Sequence, residues 1–323
     1  MHLPDGFLDA KTALLSFGVA AAGVSIALRQ VRTTLEPRKV PMLGLSAAFV
    51  FAAQMLNFPV LGGTSGHLVG GVLTAVLLGP SAAVLVMTCV LMVQCLMFAD
   101  GGLSALGANV FNMGILGVCG GYSAFRAAKW LVRSEDLRAT VFASAFAGWF
   151  GTVFAAVGCA GQLAFSGTVS WSVAFPAMTN IHMLIGIGEG LATGLIVLAV
   201  MRARPALVAA AQVPAGVAPR FGALSYGLLI SFGLAVFVAP FASPWPDGLE
   251  SVARAIGFEH LAAEPMIKSP LSNYAMPWVG SSTLATALAG CVGTGVVLVA
   301  AYGMARLLVP ALNSGKKNAA SGN

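Results

Sequence analysis

Long apolar runs separated by short polar and basic segments dominate the chain. Nine runs reach or approach the roughly 20 residues that a helix needs to cross a lipid bilayer. They cover residues 10–29, 42–58, 67–79, 81–98, 103–125, 139–162, 177–201, 222–242 and 280–308. The third run is short and rich in glycine, so it could also be re-entrant. The pattern predicts an all-α, polytopic transmembrane helical bundle of seven spans, followed by two C-terminal spans.

The basic residues predict how this bundle is oriented. Clusters of Lys and Arg follow the first, fifth, seventh and ninth runs, and they share one side only if every run crosses once. The positive-inside rule places that side in the cytoplasm. We therefore expect a multi-pass protein with its N-terminus outside and its C-terminus in the cytoplasm. The outer loops would be residues 59–66, 99–102, 163–176 and 243–279.

Composition agrees with a membrane protein and excludes several other classes. Hydrophobic residues make up 58% of the chain and charged residues 9%, against about 25% charged in soluble domains. The chain has a net charge of +6, but its basic residues lie at the ends of apolar runs, which argues against nucleic acid as a partner. Five cysteines without a CxxC pair argue against a disulfide framework or a zinc site. The sequence has no GxxxxGK[ST] motif, so any ATP site would be in another chain.

Two histidines stand in segments that the topology places on the same outer face. The chain opens with Met1 and His2, and His67 ends the glycine-rich stretch that begins at Gly62. The terminal amine, the His2 amide nitrogen and the His2 imidazole could chelate one ion, and His67 could supply a fourth nitrogen. Planar nitrogen donors suit Ni(II) or Cu(II), with Co(II) close in the affinity series. This predicts a metal site of Met1, His2 and His67; the alternative is an ordinary terminal residue and a loop residue.

Imidazole ligands need hydrogen-bond partners that orient them. Candidates near the two ligand segments are Asp5, Asn57, Thr64 and Ser65. Three amides in apolar runs, Gln94, Asn109 and Asn112, could bond the loop that carries a ligand, but polar groups that serve packing are the favoured interpretation.

Two ionisable residues lie two helical turns apart in the seventh run. They are His182 and Glu189. Ionisable residues inside a membrane are candidates for ion or proton pathways. The alternative is a buried polar pair that fixes helix packing.

Glycines at four-residue spacing permit close contact between helices in lipid. They occur at Gly66 and Gly70, at Gly117 and Gly121, and at Gly186, Gly190 and Gly194. Internal helix packing is the favoured interpretation, and a face for a partner protein is the alternative.

Three segments together closely resemble a known family. MHLPDGFL, PMLGLSAAFVFAAQMLNFPVLGGTSGHLVGG and ALGANVFNMGILG are similar to the CbiM/NikM proteins, the substrate-specific (S) components of energy-coupling-factor transporters for cobalt and nickel. The resemblance covers about residues 1–201. It implies that the N-terminus folds back into the bundle and that Met1, His2 and His67 hold the metal. HMLIGIGEGLATG, around His182, is similar to the last-span pattern of the family.

The C-terminal part resembles a second component. Residues 222–308, with PDGLE at 246–250, are similar to the two-span PDGLE (CbiN/NikN-like) domain. The sequence thus divides into a metal-binding domain, a cytoplasmic linker, a PDGLE domain and a disordered tail, at 1–201, 202–221, 222–312 and 313–323.

The resemblance implies a substrate-specific component of an ATP-driven uptake transporter, not an enzyme. Ni(II) or Co(II) would be the transported substrate. The partners would be a transmembrane coupling (T) component and cytoplasmic ABC-type ATPase subunits, in a bacterial or archaeal cytoplasmic (inner) membrane. The alternative is a proton-coupled secondary transporter that uses Glu189 and His182. A membrane metalloenzyme is disfavoured, because four nitrogen ligands leave no obvious open position.

The predicted outer loop 243–279 contains several charged residues and a histidine. They are Asp247, Glu250, Glu259, His260 and Glu264. The loop could pass metal to the N-terminal cavity, but its charge pattern favours a plain solvated loop.

Overall fold

The computed structural model describes residues 1–203 and 221–309. Nearly all of the predicted linker 202–221 and the whole of the predicted tail 313–323 lie outside these residues.

Helices account for most of the described chain. The α-helices are α1 (Ala10–Thr34), α2 (Val40–Gln54), α3 (Gly71–Leu78), α4 (Pro80–Val93), α5 (Leu106–Asn109), α6 (Gly121–Val132), α7 (Leu137–Phe165), α8 (Trp171–Ala203), α9 (Phe221–Gly233), α10 (Gly248–Ile256) and α11 (Ser282–Leu308). Stretches of π-helix continue α4, α5 and α9, at Gln94–Phe98, Val110–Gly120 and Leu234–Val238. Short 3₁₀ turns lie at Pro37–Lys39, Ala239–Phe241, Glu259–Leu261 and Ser272–Tyr274. Two strands, β1 (Phe58–Val60) and β2 (Thr64–Gly66), form one antiparallel hairpin.

The prediction of a helical membrane bundle is confirmed, although the helices do not match the apolar runs one for one. Within the described residues, six helical segments are long and apolar enough to cross a membrane. They are Ala10–Thr34, Pro80–Phe98, Leu137–Phe165, Trp171–Ala203, Leu224–Phe241 and Ser282–Leu308.

Two of the predicted spans differ from the structure. Run 42–58 is helical only to Gln54 and then enters the hairpin. Run 67–79 is an extended stretch followed by the eight residues of α3. A helix of this length is about 12 Å long, against about 30 Å of hydrocarbon, so α3 is not a full helical span.

The two ends of the bundle are easily distinguished. At one end, the Ser81 hydroxyl donates to the Gln30 side chain, which joins the start of α4 to the end of α1. At the other end, the Gly102 amide donates to the Leu3 carbonyl at 2.8 Å. The Met1 amine also lies 3.3 Å from the side chain of His67, which directly follows the hairpin. The N-terminal segment, the hairpin and residues 99–102 therefore share one end of the molecule, where the candidate site lies.

Close helix contacts explain the spaced glycines of α8. A Cβ added at Gly190 would lie 2.5 Å from the Ala145 carbonyl oxygen of α7, and one at Gly186 would lie 3.0 Å from Trp149. Such contacts leave no room for a side chain, which confirms the prediction of internal packing for these glycines. The five cysteines are free; Cys95 and Cys159 are buried, and Cys119 is exposed.

The C-terminal helices pack against α2. A Cβ at Gly293 of α11 would collide with the Phe51 ring, and one at Gly227 of α9 would collide with Leu45. This packing carries the segment between α9 and α11, including α10, to the end of the bundle that holds the N-terminus.

Candidate metal centre

The first residues of the chain are buried and fixed. Met1 is 4% exposed and Leu3 is fully buried. The Asn109 side chain binds both backbone groups of Leu3: Oδ1 accepts from the amide at 2.8 Å and Nδ2 donates to the carbonyl at 3.0 Å. A Cβ at Gly102 would lie 2.2 Å from the Asp5 amide nitrogen, so only glycine permits this approach.

Asp5 anchors the next turn of the segment. Its Oδ1 accepts hydrogen bonds from the Ser104 amide at 2.8 Å and the Ser104 hydroxyl at 2.6 Å. Its Oδ2 accepts from the Met266 amide at 3.2 Å. Burial favours the neutral acid, but the hydrogen bonds from Ser104 and Met266 outweigh it and lower the pKa of Asp5.

The hairpin and the stretch after it position His67. Gly62 and Gly63 at the hairpin turn have φ values of +88° and +76°, which glycine adopts without strain. After β2, the Glu189 carboxylate of α8 accepts hydrogen bonds from the Val69 amide at 2.6 Å and the Gly70 amide at 2.9 Å. These two bonds hold the backbone directly behind His67.

The predicted ligands meet at this point. The Met1 amine nitrogen lies 3.3 Å from His67 Nε2. The His2 and His67 rings stack with their centroids 5.3 Å apart and their planes inclined by 26°. Two nitrogens that bind one ion at right angles lie about 2.9 Å apart when each bond is about 2.05 Å. The amine and His67 therefore need to move by only a few tenths of an ångström to share an ion.

The His2 ring has partners at both nitrogens. Nδ1 lies 3.2 Å from Asp100 Oδ1, and Nε2 lies 3.2 Å from Gln94 Oε1. The Tyr274 hydroxyl donates to Asp100 Oδ2 at 2.5 Å. Chelation through Nδ1, together with the amine and amide, would require this nitrogen to exchange Asp100 for the ion.

Asp247 is the residue that sequence reasoning placed in a solvated loop. Its Oδ2 instead forms an ion pair with the Met1 amine. One ligand atom from each of His2, His67 and Asp247 lies within 4.8 Å of the other two. The prediction of a plain solvated loop is therefore wrong at this position. The sequence contains a signal that Asp247 begins a helix: Asp247 and Glu250 have the three-residue spacing of a capping box.

Both imidazoles favour the form that binds metal. Burial lowers the pKa of His2, and the nearby Asp100 carboxylate offsets this effect only in part. Burial also lowers the pKa of His67, aided by the adjacent terminal amine. Burial alone would raise the pKa of Asp247, but the terminal amine outweighs it and lowers this pKa. At neutral pH the site therefore presents two neutral imidazoles and one carboxylate, the protonation states that metal ions require.

The predicted supporting residues have different roles. Thr64 Oγ1 donates to the Pro246 carbonyl at 3.1 Å, and Ser65 Oγ donates to the Trp245 carbonyl at 2.7 Å. These hydroxyls attach the hairpin to the C-terminal segment and do not contact the imidazoles. Asn57 lines the cavity next to His2 and His67.

His182 and Glu189 do not form a pair. His182 Nδ1 is hydrogen-bonded to the Met178 carbonyl of its own helix at 2.8 Å. The edge of its ring lies against Gly248, where an added Cβ would be 2.9 Å from Nε2. Glu189 binds the Val69 and Gly70 amides, so the two residues serve different contacts.

A polar cavity of about 570 Å³ opens next to the site. The part of the chain before residue 204 contributes His2, Gln54, His67 and Asp100, and the C-terminal segment contributes Asp247, Glu250 and Tyr274. Its walls therefore come from both parts of the chain and carry three carboxylates.

Comparison with known proteins identifies both parts. Residues 2–207 match the CbiM family, described as the cobalt uptake substrate-specific transmembrane region, and residues 222–310 match the PDGLE domain. The chain is 36% identical to a putative fused nickel transport protein NikMN of Archaeoglobus fulgidus, over 95% of this chain and 98% of that protein. It is 32% identical to the cobalt transport protein CbiM of Geobacter sulfurreducens, over 84% of this chain and 81% of that protein.

A solved structure gives the same result. A chain described as a truncated transition metal transporter aligns with a TM-score of 0.57 at 32% identity, over 63% of this chain and 99% of that chain. Fold and relatives together define a multi-pass membrane transport protein of the nickel and cobalt class, not an enzyme. The chain belongs to the CbiM family and carries a C-terminal PDGLE domain.

Proposed function

We propose that this chain is the substrate-specific membrane component of an ATP-driven, energy-coupling-factor type uptake transporter. It would capture Ni(II) or Co(II) from outside the cell with the Met1 amine, the His2 amide and imidazole, and the His67 imidazole. The observation that carries this proposal is the buried contact between the Met1 amine and His67 Nε2, at 3.3 Å, next to the stacked His2 ring.

The donor set supports a late first-row transition metal. Nitrogen donors favour Ni(II), Cu(II) and Co(II), whereas Mg(II) and Ca(II) require oxygen ligands. Deprotonation of the His2 amide needs a strongly polarising ion. The relatives named above include both nickel and cobalt transport proteins, and the proposal covers both ions.

The proposed partners are a transmembrane coupling component and cytoplasmic ABC-type ATPase subunits. The absence of a GxxxxGK[ST] motif from the sequence supports this division of labour. The proposed location is the bacterial or archaeal cytoplasmic membrane, with the metal centre on the outer face. The proposed domains are residues 1–201 and 222–312.

The hydrogen bonds disfavour the proton-coupled alternative. Within the described residues, no hydrogen bond joins His182 to Glu189. The Glu189 carboxylate is engaged by the backbone behind His67, which supports a positioning role for it.

Measurement of Ni(II) and Co(II) binding tests the proposed site directly. Protein with its native N-terminus would be compared with protein extended by two glycines before Met1. The extension keeps both imidazoles but separates the amine from His2 by three residues, so the two can no longer close one chelate ring and we expect tight binding to be lost. A single glycine is unsuitable, because a histidine third from a free amine offers four planar nitrogens by itself. Equal binding by the two forms would exclude the amine as a ligand.

Uptake by intact cells provides a second test. His2→Ala and His67→Ala should each abolish Ni(II) and Co(II) uptake, because each removes a nitrogen ligand. Met183→Ala, on the exposed side of α8, is a control that should leave uptake unchanged. Wild-type uptake by either histidine variant, at equal amounts of inserted protein, would refute the site.

A further inference from the structure

The PDGLE segment reaches into the metal centre. Asp247 is 180 residues from His67 in sequence, yet its Oδ2 contacts the Met1 amine and lies with the two imidazoles in one group of potential ligands. Of the three residues in that group, only Asp247 comes from the C-terminal part of the chain.

Asp247 is held in this position by its own helix. Its Oδ1 accepts a hydrogen bond from the Glu250 amide at 2.9 Å, and Glu250 caps the Asp247 amide in return at 3.2 Å. The Ser65 amide also donates to the Pro246 carbonyl at 2.8 Å, which ties the residue before Asp247 to the hairpin that carries His67. One carboxylate oxygen is thus occupied by the helix, and the other is directed at the amine.

We propose that Asp247 is an oxygen ligand that the PDGLE domain supplies to the transported ion, outside the plane of the nitrogen donors. This inference rests on the proposed function. A ligand outside the plane is at right angles to the planar donors, so it lies about 3.0 Å from each of them when each bond is about 2.1 Å. Since the potential ligand atoms lie within 4.8 Å of one another, side-chain movements of less than about 2 Å suffice to bring them onto one ion.

Charge neutrality supports an anionic ligand at this position. A divalent ion bound to neutral amine and imidazole nitrogens and one deprotonated amide would leave one positive charge in a buried site. Buried charge is costly unless it is paired. Of the proposed ligands, Asp100 contacts only the His2 ring, whereas Asp247 contacts the terminal ammonium and belongs to the group of potential ligands. The Asp247 carboxylate would exchange this ammonium for the metal ion as its cationic partner.

The proposed arrangement of ligands is also a known coordination type. Four planar nitrogens with an oxygen on the axis form a tetragonal arrangement, which suits Cu(II) and Ni(II). An axial oxygen changes the electron paramagnetic resonance spectrum of Cu(II), so Cu(II) can report on Asp247 without any transport measurement.

The test uses the full-length protein with its native N-terminus. Asp247→Asn keeps the helix cap, because Asn caps as well as Asp, but removes the charge. Asp247→Ala removes the ligand altogether. Glu259→Gln is the matched control: it also removes one negative charge from the PDGLE segment, but Glu259 is exposed and its carboxylate binds Arg254.

We expect both Asp247 variants to weaken Ni(II) binding at least about tenfold, the lower end of what loss of a metal's supporting groups costs. In the Cu(II) spectrum, the hyperfine coupling along the symmetry axis should increase when the axial oxygen is lost. Glu259→Gln should change neither quantity. Unchanged spectra and affinity in folded Asp247→Asn, or tighter binding, would overturn the proposal, as would an equal effect of Glu259→Gln.

A failure of this inference can be distinguished from a failure of the proposed function. If the two-glycine extension abolishes binding while Asp247→Asn behaves as wild type, the nitrogen site stands and only the oxygen ligand is refuted. If the extended protein binds Ni(II) as tightly as the native form, both are refuted.

Discussion

Asn109 is a single side chain on which the position of the N-terminus depends. It occupies both backbone groups of Leu3 in a buried environment. Truncation leaves the buried Leu3 amide without this partner, at a cost of about 1–3 kcal/mol, whereas the Leu3 carbonyl keeps its bond from the Gly102 amide.

We therefore predict that Asn109→Ala weakens Ni(II) binding at least about tenfold, since a loss of about 1.4 kcal/mol corresponds to that factor. Hydrogen exchange should show faster exchange at Leu3. Asn112→Ala is the control: Asn112 lies one turn further along and binds Gln162 at 2.7 Å, not the N-terminal segment. Equal effects of the two variants on Ni(II) binding would contradict the assignment.

Asp5 makes the docking of the N-terminal segment depend on pH. Because the pKa of Asp5 is lowered in the folded protein, its ionised form stabilises docking above the ordinary aspartate pKa of about 3.9. This contribution is lost as the pH falls through the folded value. We predict that protection of residues 1–8 from hydrogen exchange decreases in acid, and that Asp5→Asn removes most of this dependence.

Asp9→Asn is a suitable comparison for Asp5→Asn. Asp9 caps α1 at an exposed position, and Asn retains the cap. It should leave the acid dependence of residues 1–8 in place. An unchanged pH profile in Asp5→Asn would show that another group controls docking.

At the scale of elements, α8 holds the backbone of the short segment between the hairpin and α3 in place. The Glu189 carboxylate accepts both backbone amides there, whereas a glutamine has only one oxygen to offer. We predict that Glu189→Gln lowers Ni(II) affinity about tenfold without loss of folding, measured by titration of purified protein.

Thr193→Val is the matched control on the same helix. Thr193 is fully buried one turn away, its hydroxyl has no hydrogen-bond partner among the described residues, and valine has the same shape. It should bind Ni(II) as the wild type does. If Glu189→Gln binds normally but transport loses its dependence on protons, the proton-coupled alternative gains support instead.

At the scale of the whole molecule, the chain provides a metal site and transmembrane helices, and we predict that it depends on partners for energy. Ni(II) uptake should require the coupling component and active ATPase subunits, and it should persist when an uncoupler dissipates the proton gradient. An ATPase variant lacking its Walker lysine should abolish uptake and leave Ni(II) binding by this chain unchanged. Uptake that collapses with the uncoupler alone, at undiminished ATP, would refute the ATP-driven mechanism.

Several features of this protein follow from the sequence by itself. Apolar runs determine a helical membrane bundle, because backbone groups in lipid must bond within their own segment. Hydropathy and basic clusters bring Met1, His2 and His67 to one face, and the structure brings them together. These properties are readable because each depends on the local pattern of one segment.

Only the tertiary structure shows which other residues contact these ligands. Asp247, Asp100 and Tyr274 reach the ligands from distant segments, and a contact across 180 residues leaves no periodicity in either segment. The same holds for residues 67–70: their glycine-rich, apolar sequence is compatible with a helix, but Glu189 satisfies two of their amides in an extended conformation. Buried polar groups must be paired, and only the packing of helices against one another determines which partner each of them finds.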